Sequence, residues 1–233
     1  RVGPDELYDS GEMEWEQLRE GIPLLLGHRI VLLLRLGHSR VPAATATGCD
    51  TLLRGSGTCM AGIREQVARV AESDLDVLVR GETGTGKELV AAAIHRASRR
   101  CAAPMVCVNM AAIPGDLAAA ALFGSARGAF TGADRTLPGY FEQAQGGTLF
   151  LDEIGATSAQ VQPQLLRALQ QREIQAVGGV IRRVDVRVIS ATDAVLEGEN
   201  CDFKVALRHR LGACEILLPP LREHPEDIGE LLL

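Results

Sequence analysis

The stretch LDVLVRGETGTGKELVAAAIHRASRR, residues 75–100, leaves little freedom in how it can fold. LDVLV (75–79) is a short apolar run bounded by polar residues, as expected of a buried strand. KELVAAAIHRASRR places apolar residues at helical spacing and ends in arginines, where the helix dipole favours cations. Between the two, Gly81, Gly84 and Gly86 allow a tight turn that aims backbone N–H groups at one point, next to the positive end of the helix. Such a turn cradles phosphate. Gly81, Glu82, Thr83, Gly84, Thr85, Gly86 and Lys87 fit the GxxxxGK phosphate-loop pattern, with Lys87 as the mobile ammonium for the β and γ phosphates of ATP. Glu88 follows where the pattern has Ser or Thr, so the usual hydroxyl ligand for Mg2+ is missing. Among 24 Lys plus Arg, only Lys87 and Lys204 are Lys. A chain that otherwise uses Arg keeps Lys where a guanidinium fork replaces a point charge badly.

The rest of the chain repeats the strand–helix alternation. MVCVNM (105–110), GGTLFLDEIG (146–155), VDVRVISAT (184–192) and CEILL (214–218) read as further strands. DLAAAALF (116–123) and SAQVQPQLLRALQQRE (158–173) read as helices. In the second, Ser158 is a candidate cap, and Pro163 moves the expected start to between Ala159 and Gln162. Five strands alternating with helices imply an α/β fold with a parallel sheet covered on both faces. IPLLLG and RIVLLLRL read as two more short strands hinged at Gly27 and His28, and residues 37–61, rich in Ser, Thr, Gly and Ala, as a linker.

The strand TLFLD delivers Asp152 and Glu153 to the carboxyl edge of such a sheet, where open α/β folds bind ligands. Asp152 is the candidate Mg2+ ligand and Glu153 the candidate for polarising an attacking water. In GSARGAFTGADR (124–135), Phe130 and Thr131 stand among small residues that suit a flexible loop or tight turn. A net charge of −6 gives no reason to expect a DNA-reading surface. The six cysteines follow no ligand spacing, no signal peptide opens the chain, and the longest apolar stretch is too short and too charged to span a bilayer. A cytoplasmic protein with reduced thiols is expected.

In this order RGETGTGKELVA, LFG…GAFTGA, GGTLFLDEIG and LLPPLRE…EDI resemble the central domain of bacterial enhancer-binding proteins, AAA+ ATPases that activate the RNA polymerase carrying sigma-54. The likeness covers roughly residues 56–233. It implies a three-layer P-loop NTPase of the AAA+ type, with a five-stranded parallel sheet and a small β-rich N-terminal fragment. It also implies that Gly128, Ala129, Phe130, Thr131, Gly132 and Ala133 form a protruding loop that touches sigma-54, chiefly through Phe130 and Thr131. Asn109 matches the residue that restrains the catalytic Glu153 until ATP is sensed. Thr192 and Asp193 match the first sensor, where the family usually has Asn. FKVALRHRL (203–211) matches the segment carrying two trans-acting arginine fingers, here Lys204 and Arg210, with Ala206 in place of an acid and Arg208 and His209 in place of aromatics.

The resemblance divides the chain into an N-terminal regulatory fragment (1–40) similar to the end of a forkhead-associated domain, a linker (41–55), the ATPase core (56–219) and the first turn of a helical lid (220–233). It implies an activator that hydrolyses ATP and remodels the sigma-54 polymerase holoenzyme as a ring of identical copies, six in the family. DNA would be contacted only through a domain outside this chain. The alternative is a degenerate or truncated regulator that binds nucleotide, sigma-54 or both with little hydrolysis. It is motivated by Lys204, Ala206, Asp193 and a lid that stops at Leu233.

Overall fold

The computed structural model describes residues 22–26, 30–34, 52–129, 135–197 and 202–231. These fall into two units: Arg1–Thr45 with Arg54–Gly62 and Leu221–Leu233, and Ala46–Leu53 with Ile63–Pro220.

In the first unit, β1 (Ile22–Leu26) and β2 (Ile30–Leu34) pair antiparallel, Ile22 opposite Leu34 and Leu26 opposite Ile30. The two apolar runs are therefore one hairpin; Gly27 and His28 lie outside the described residues. Elsewhere in this unit Asp227, fully buried, accepts the backbone N–H of Gly57 at 2.7 Å and faces His224 Nδ1 at 3.0 Å.

The second unit is built on a five-stranded parallel sheet, as the alternation implies. Helix α1 (Thr58–Ala71), which belongs to this unit from Ile63 on, leads into β3 (Val77–Arg80), followed by α2 (Lys87–Ala97), β4 (Met105–Asn109), α3 (Ala118–Phe123) and α4 (Tyr140–Gln143). Then come β5 (Thr148–Asp152), α5 (Gln162–Gln171), a hairpin of β6 (Glu173–Gln175) and β7 (Ile181–Arg183), β8 (Arg187–Thr192), α6 (Val205–Leu211) and β9 (Glu215–Leu217). The strand order is β4-β5-β8-β3-β9. Both faces are covered: successive residues Val77, Leu78 and Val79 are all buried, and β8 is buried along its whole length. Leu78, Leu149, Leu151 and Val188 join one core cluster with α3, α5 and α6, while Val90, Ala91 and Ile94 of α2 are buried elsewhere. Because β3, β8 and β5 are neighbours, the segments leaving their carboxyl ends converge. No helix among the described residues is long and apolar enough to cross a membrane.

Several local expectations shift. The linker reading of 37–61 fails at its end, because α1 already begins at Thr58; Ile63, Val67 and Ala71 lie four apart and bury one helical face. β3 starts at Val77 and not Leu75, because the Asp76 carboxylate takes the N–H of Val188 in place of a strand partner. β5 ends at Asp152, and Glu153 follows in the left-handed region at φ 50°. α5 starts at Gln162, at the limit Pro163 allows, but Ser158 does not cap it: its carbonyl accepts Val161 and Gln162 N–H while its hydroxyl is buried without a partner. The β6–β7 hairpin escapes a reading based on strand–helix alternation, although Gly178-Gly179 between short apolar runs is a turn signal.

Candidate nucleotide site at the carboxyl edge of the sheet

β3 is held between β8 and β9, with Gly81 N–H on the Thr192 carbonyl at 3.3 Å and Leu218 N–H on the Arg80 carbonyl at 2.7 Å. The chain then leaves the sheet as the glycine loop. Both the N–H and the hydroxyl of Thr85 donate to the Glu82 carbonyl, at 3.3 and 2.8 Å. Gly84 and Gly86 have φ of 85° and 87°, a conformation side chains strain to adopt. Gly86 is the N-cap of α2 and offers no side-chain cap, so the unpaired N–H groups of the first helical turn stay available to a ligand. Lys87 is only 7% exposed and folds back over the loop, donating to the carbonyls of Gly81 at 3.0 Å and Glu82 at 3.4 Å. A buried ammonium beside uncapped helical N–H groups fits polyphosphate. Glu88 is exposed on the first turn of α2.

The acids arrive from the neighbouring strands. Glu153 Oε1 lies 3.7 Å from Lys87 Nζ. Burial pushes the Glu153 carboxyl above its ordinary range against the pull of Lys87, and the negative charges of Asp193 and Asp152 add to the upward push. Asp193 is held low by the hydroxyl of Thr83, which donates to it at 2.7 Å. Asp152 is half-buried at the end of β5, opposite Asn109 of β4. The Asn109 amide approaches Asp152 Oδ2 at 3.4 Å, while its oxygen takes the N–H of Ala111. In this state Asn109 therefore addresses Asp152 and not Glu153. Asp152 keeps lone pairs for a cation. Thr192 is fully buried, and its hydroxyl accepts the N–H of Ala194 at 3.0 Å.

The two finger candidates lie elsewhere. Lys204 is exposed at the N-cap of α6, its backbone N–H bonded to Gln162 Oε1 at 2.7 Å. Arg210 is near the opposite end of α6, beside the amino end of β3. It donates to the Leu169 carbonyl at 3.0 Å and pairs with Asp76 Oδ2 at 3.0 Å. Asp76 is fully buried and also pairs with Arg172 at 3.2 Å. This triad went unread in the sequence, although an Asp inside the apolar run LDVLV was its signal. Asp76 is fully desolvated, yet it keeps Arg172 and the Val188 N–H if Arg210 is removed. Arg210→Ala should therefore cost about 2 kcal/mol, less than stripping a buried charge of its only partner. A melt of the variant checks this; an unchanged melting temperature would free Arg210 of any role inside its own subunit. The contact made by Arg208 is a finding of the structure: it lies 3.7 Å from Glu197, which forms a two-point pair with Arg80 next to the glycine loop.

Gly128 and Ala129 stand on a fixed neck. Ser125 and Leu137 exchange N–H···O bonds of 3.0 Å, and Ala126 N–H reaches the Val177 carbonyl of the β6–β7 hairpin at 2.9 Å. Gly124, at φ 87°, passes so close that a Cβ there would lie 2.7 Å from the Leu137 carbonyl oxygen. Phe130, Thr131, Gly132 and Ala133 lie outside the described residues. Beside the neck, a cavity of about 290 Å³ is lined by Phe123, Arg167, Glu173 and Val177 among others.

Residues 53–217 match the family model described as the Sigma-54 interaction domain. The chain is 49% identical over 187 residues to the DNA-binding transcriptional regulator NtrC of Salmonella typhimurium, covering 79% of this chain and 40% of that protein. It is 52% identical over 180 residues to the Nif-specific regulatory protein of Klebsiella pneumoniae, covering 76% of this chain and 34% of that one. The chain thus spans about two fifths or less of the length of the curated relatives it matches. Among solved structures, NtrX from Brucella abortus in complex with ATP superposes with a TM-score of 0.71 at 36% identity, over 77% of this chain and 39% of that one. With a family model matched over most of its length, the chain belongs to the sigma-54 interaction domain family.

Proposed function

We propose that this chain is the ATP-hydrolysing motor of a cytoplasmic transcriptional activator that remodels the sigma-54 polymerase holoenzyme through its GAFTGA loop. The observation that carries the reading is the meeting of Lys87, Glu153, Asp152 and the uncapped start of α2 at one point on the sheet edge. The binding of ATP by the Brucella NtrX structure supports it. The loop N–H groups and Lys87 bind and orient the polyphosphate. Mg2+, held by Asp152 when bound, would neutralise charge on the phosphates. Glu153, next in the chain, polarises the attacking water once Lys87 has turned to the phosphates. Asn109, on the adjacent strand, is placed to trade its contact with Asp152 for one with Glu153. Lys204, exposed on α6, presents a cation to the next copy in a ring.

Force would reach sigma-54 through the neck at Ser125 and Leu137. Phe130→Ala or Thr131→Ala should leave ATP hydrolysis within about twofold, since neither residue belongs to the phosphate or acid groups. Capture of sigma-54 in the presence of ADP–aluminium fluoride should vanish in both. A melting temperature lowered by many degrees in Phe130→Ala would mean instead that the ring is part of the core.

One observation favours a second reading, a degenerate regulator that binds nucleotide with little turnover: Asp193 adds a third acid to this edge and bonds the loop through the Thr83 hydroxyl. Steady-state ATP turnover at raised protein concentration separates the two.

A further inference from the structure

Asp193 is a carboxylate set against the glycine loop. One hydrogen bond and two neighbouring charges locate it. Its Oδ2 accepts the hydroxyl of Thr83, inside the glycine loop, at 2.7 Å. Its charge acts on Glu153, which sits 3.7 Å from the ammonium of Lys87. It also lies within electrostatic reach of Lys87 itself. In a phosphate loop this lysine serves the β and γ phosphates. A charge next to both the lysine and the loop hydroxyl therefore faces the γ end and not the base or ribose. The carboxylate is exposed, so water screens it, but a γ-phosphate adds its charge at close range and would leave some water behind. ADP, which ends one phosphate earlier, avoids most of this repulsion.

We propose that Asp193 is a specificity-determining residue that biases this site toward nucleoside diphosphate over nucleoside triphosphate. The inference rests on the nucleotide-binding reading above. It makes exchange of ADP for ATP an uphill step of the cycle, so that occupancy by ATP depends on something that moves Asp193 off Thr83. A neighbouring subunit that brings a cation to this edge could do so; Asp193 then pairs with that cation and leaves the γ-phosphate free of repulsion.

The test is a titration of the whole chain with ADP and with a non-hydrolysable ATP analogue, in the parent, Asp193→Asn and Thr83→Val. Asn keeps the size and can still accept the Thr83 hydroxyl, but has no charge. Asp193→Asn should tighten the ATP analogue about tenfold and leave ADP within about twofold. Thr83→Val removes the hydrogen bond and keeps the charge, so its ratio of ATP-analogue to ADP affinity should stay close to that of the parent. Equal tightening of both nucleotides in Asp193→Asn would make Asp193 a latch on the loop and overturn the proposal, as would no change in either. ADP binding by the parent that is lost in Lys87→Ala secures the underlying site independently. A parent chain that binds neither nucleotide overturns that reading, and this proposal with it.

Discussion

Lys87→Ala should weaken nucleotide binding about 100-fold, the size expected when a charge-assisted hydrogen-bond donor is lost from a partly desolvated anion site. The fold should survive. The Lys87 ammonium donates to two loop carbonyls, Gly81 and Glu82, and lies 3.7 Å from Glu153. Those carbonyls lie at the exposed sheet edge and can turn to water, and Glu153 is already held toward its neutral form by burial. Nucleotide titration and far-ultraviolet circular dichroism measure the two halves of the prediction. Unchanged affinity would remove the phosphate-loop assignment, and a lost dichroism signal would show that Lys87 serves the fold.

Glu153→Gln should act in the complementary way. The amide fills the same space but cannot take a proton from water, so turnover should fall about 1000-fold, within the range assigned to a general base. Binding of ATP should persist, because the amide keeps the carboxyl's place beside Lys87 without disturbing the loop. The left-handed backbone at Glu153 applies equally to Gln and adds no difference between the two. Loss of binding together with turnover would mean that Glu153 supports the loop and does not act on water.

Much of this site could be read directly from the sequence because its parts are local. A buried strand, a glycine turn and a helix in direct succession determine where Lys87 goes, whatever surrounds them. Asp152 and Glu153 were readable for the same reason, as the end of a second apolar strand, although only the structure places the strand boundary between them. The pairings across the chain were not readable. Asp193 bonding Thr83, 110 positions earlier, depends on β8 lying beside β3. Asp76 holding Arg172 and Arg210 depends on α5 and α6 ending together at the amino edge of the sheet. The resemblance assigns Arg210 to a neighbouring subunit; within its own subunit it already neutralises a buried acid. Any loss of activity on mutating it has to be separated from the stability lost with that ion pair.

The N-terminal hairpin was legible from two apolar runs of strand length, and α1 was not, because its first residues share the small-residue composition of the segment before it. The GAFTGA loop is the reverse case. Its sequence is the most specific single string in the chain, and the structure contributes its neck: the Ser125–Leu137 bridge and the contact with Val177.

Hydrolysis of ATP at a site completed by a second copy of this chain is checked by phosphate release measured against protein concentration. Release should depend on Mg2+, be absent from Glu153→Gln, and rise more steeply than linearly with protein, because each site needs a cation from its neighbour. Release at the level of Glu153→Gln at every concentration would contradict the claim of hydrolysis. Release strictly proportional to protein would contradict the shared site.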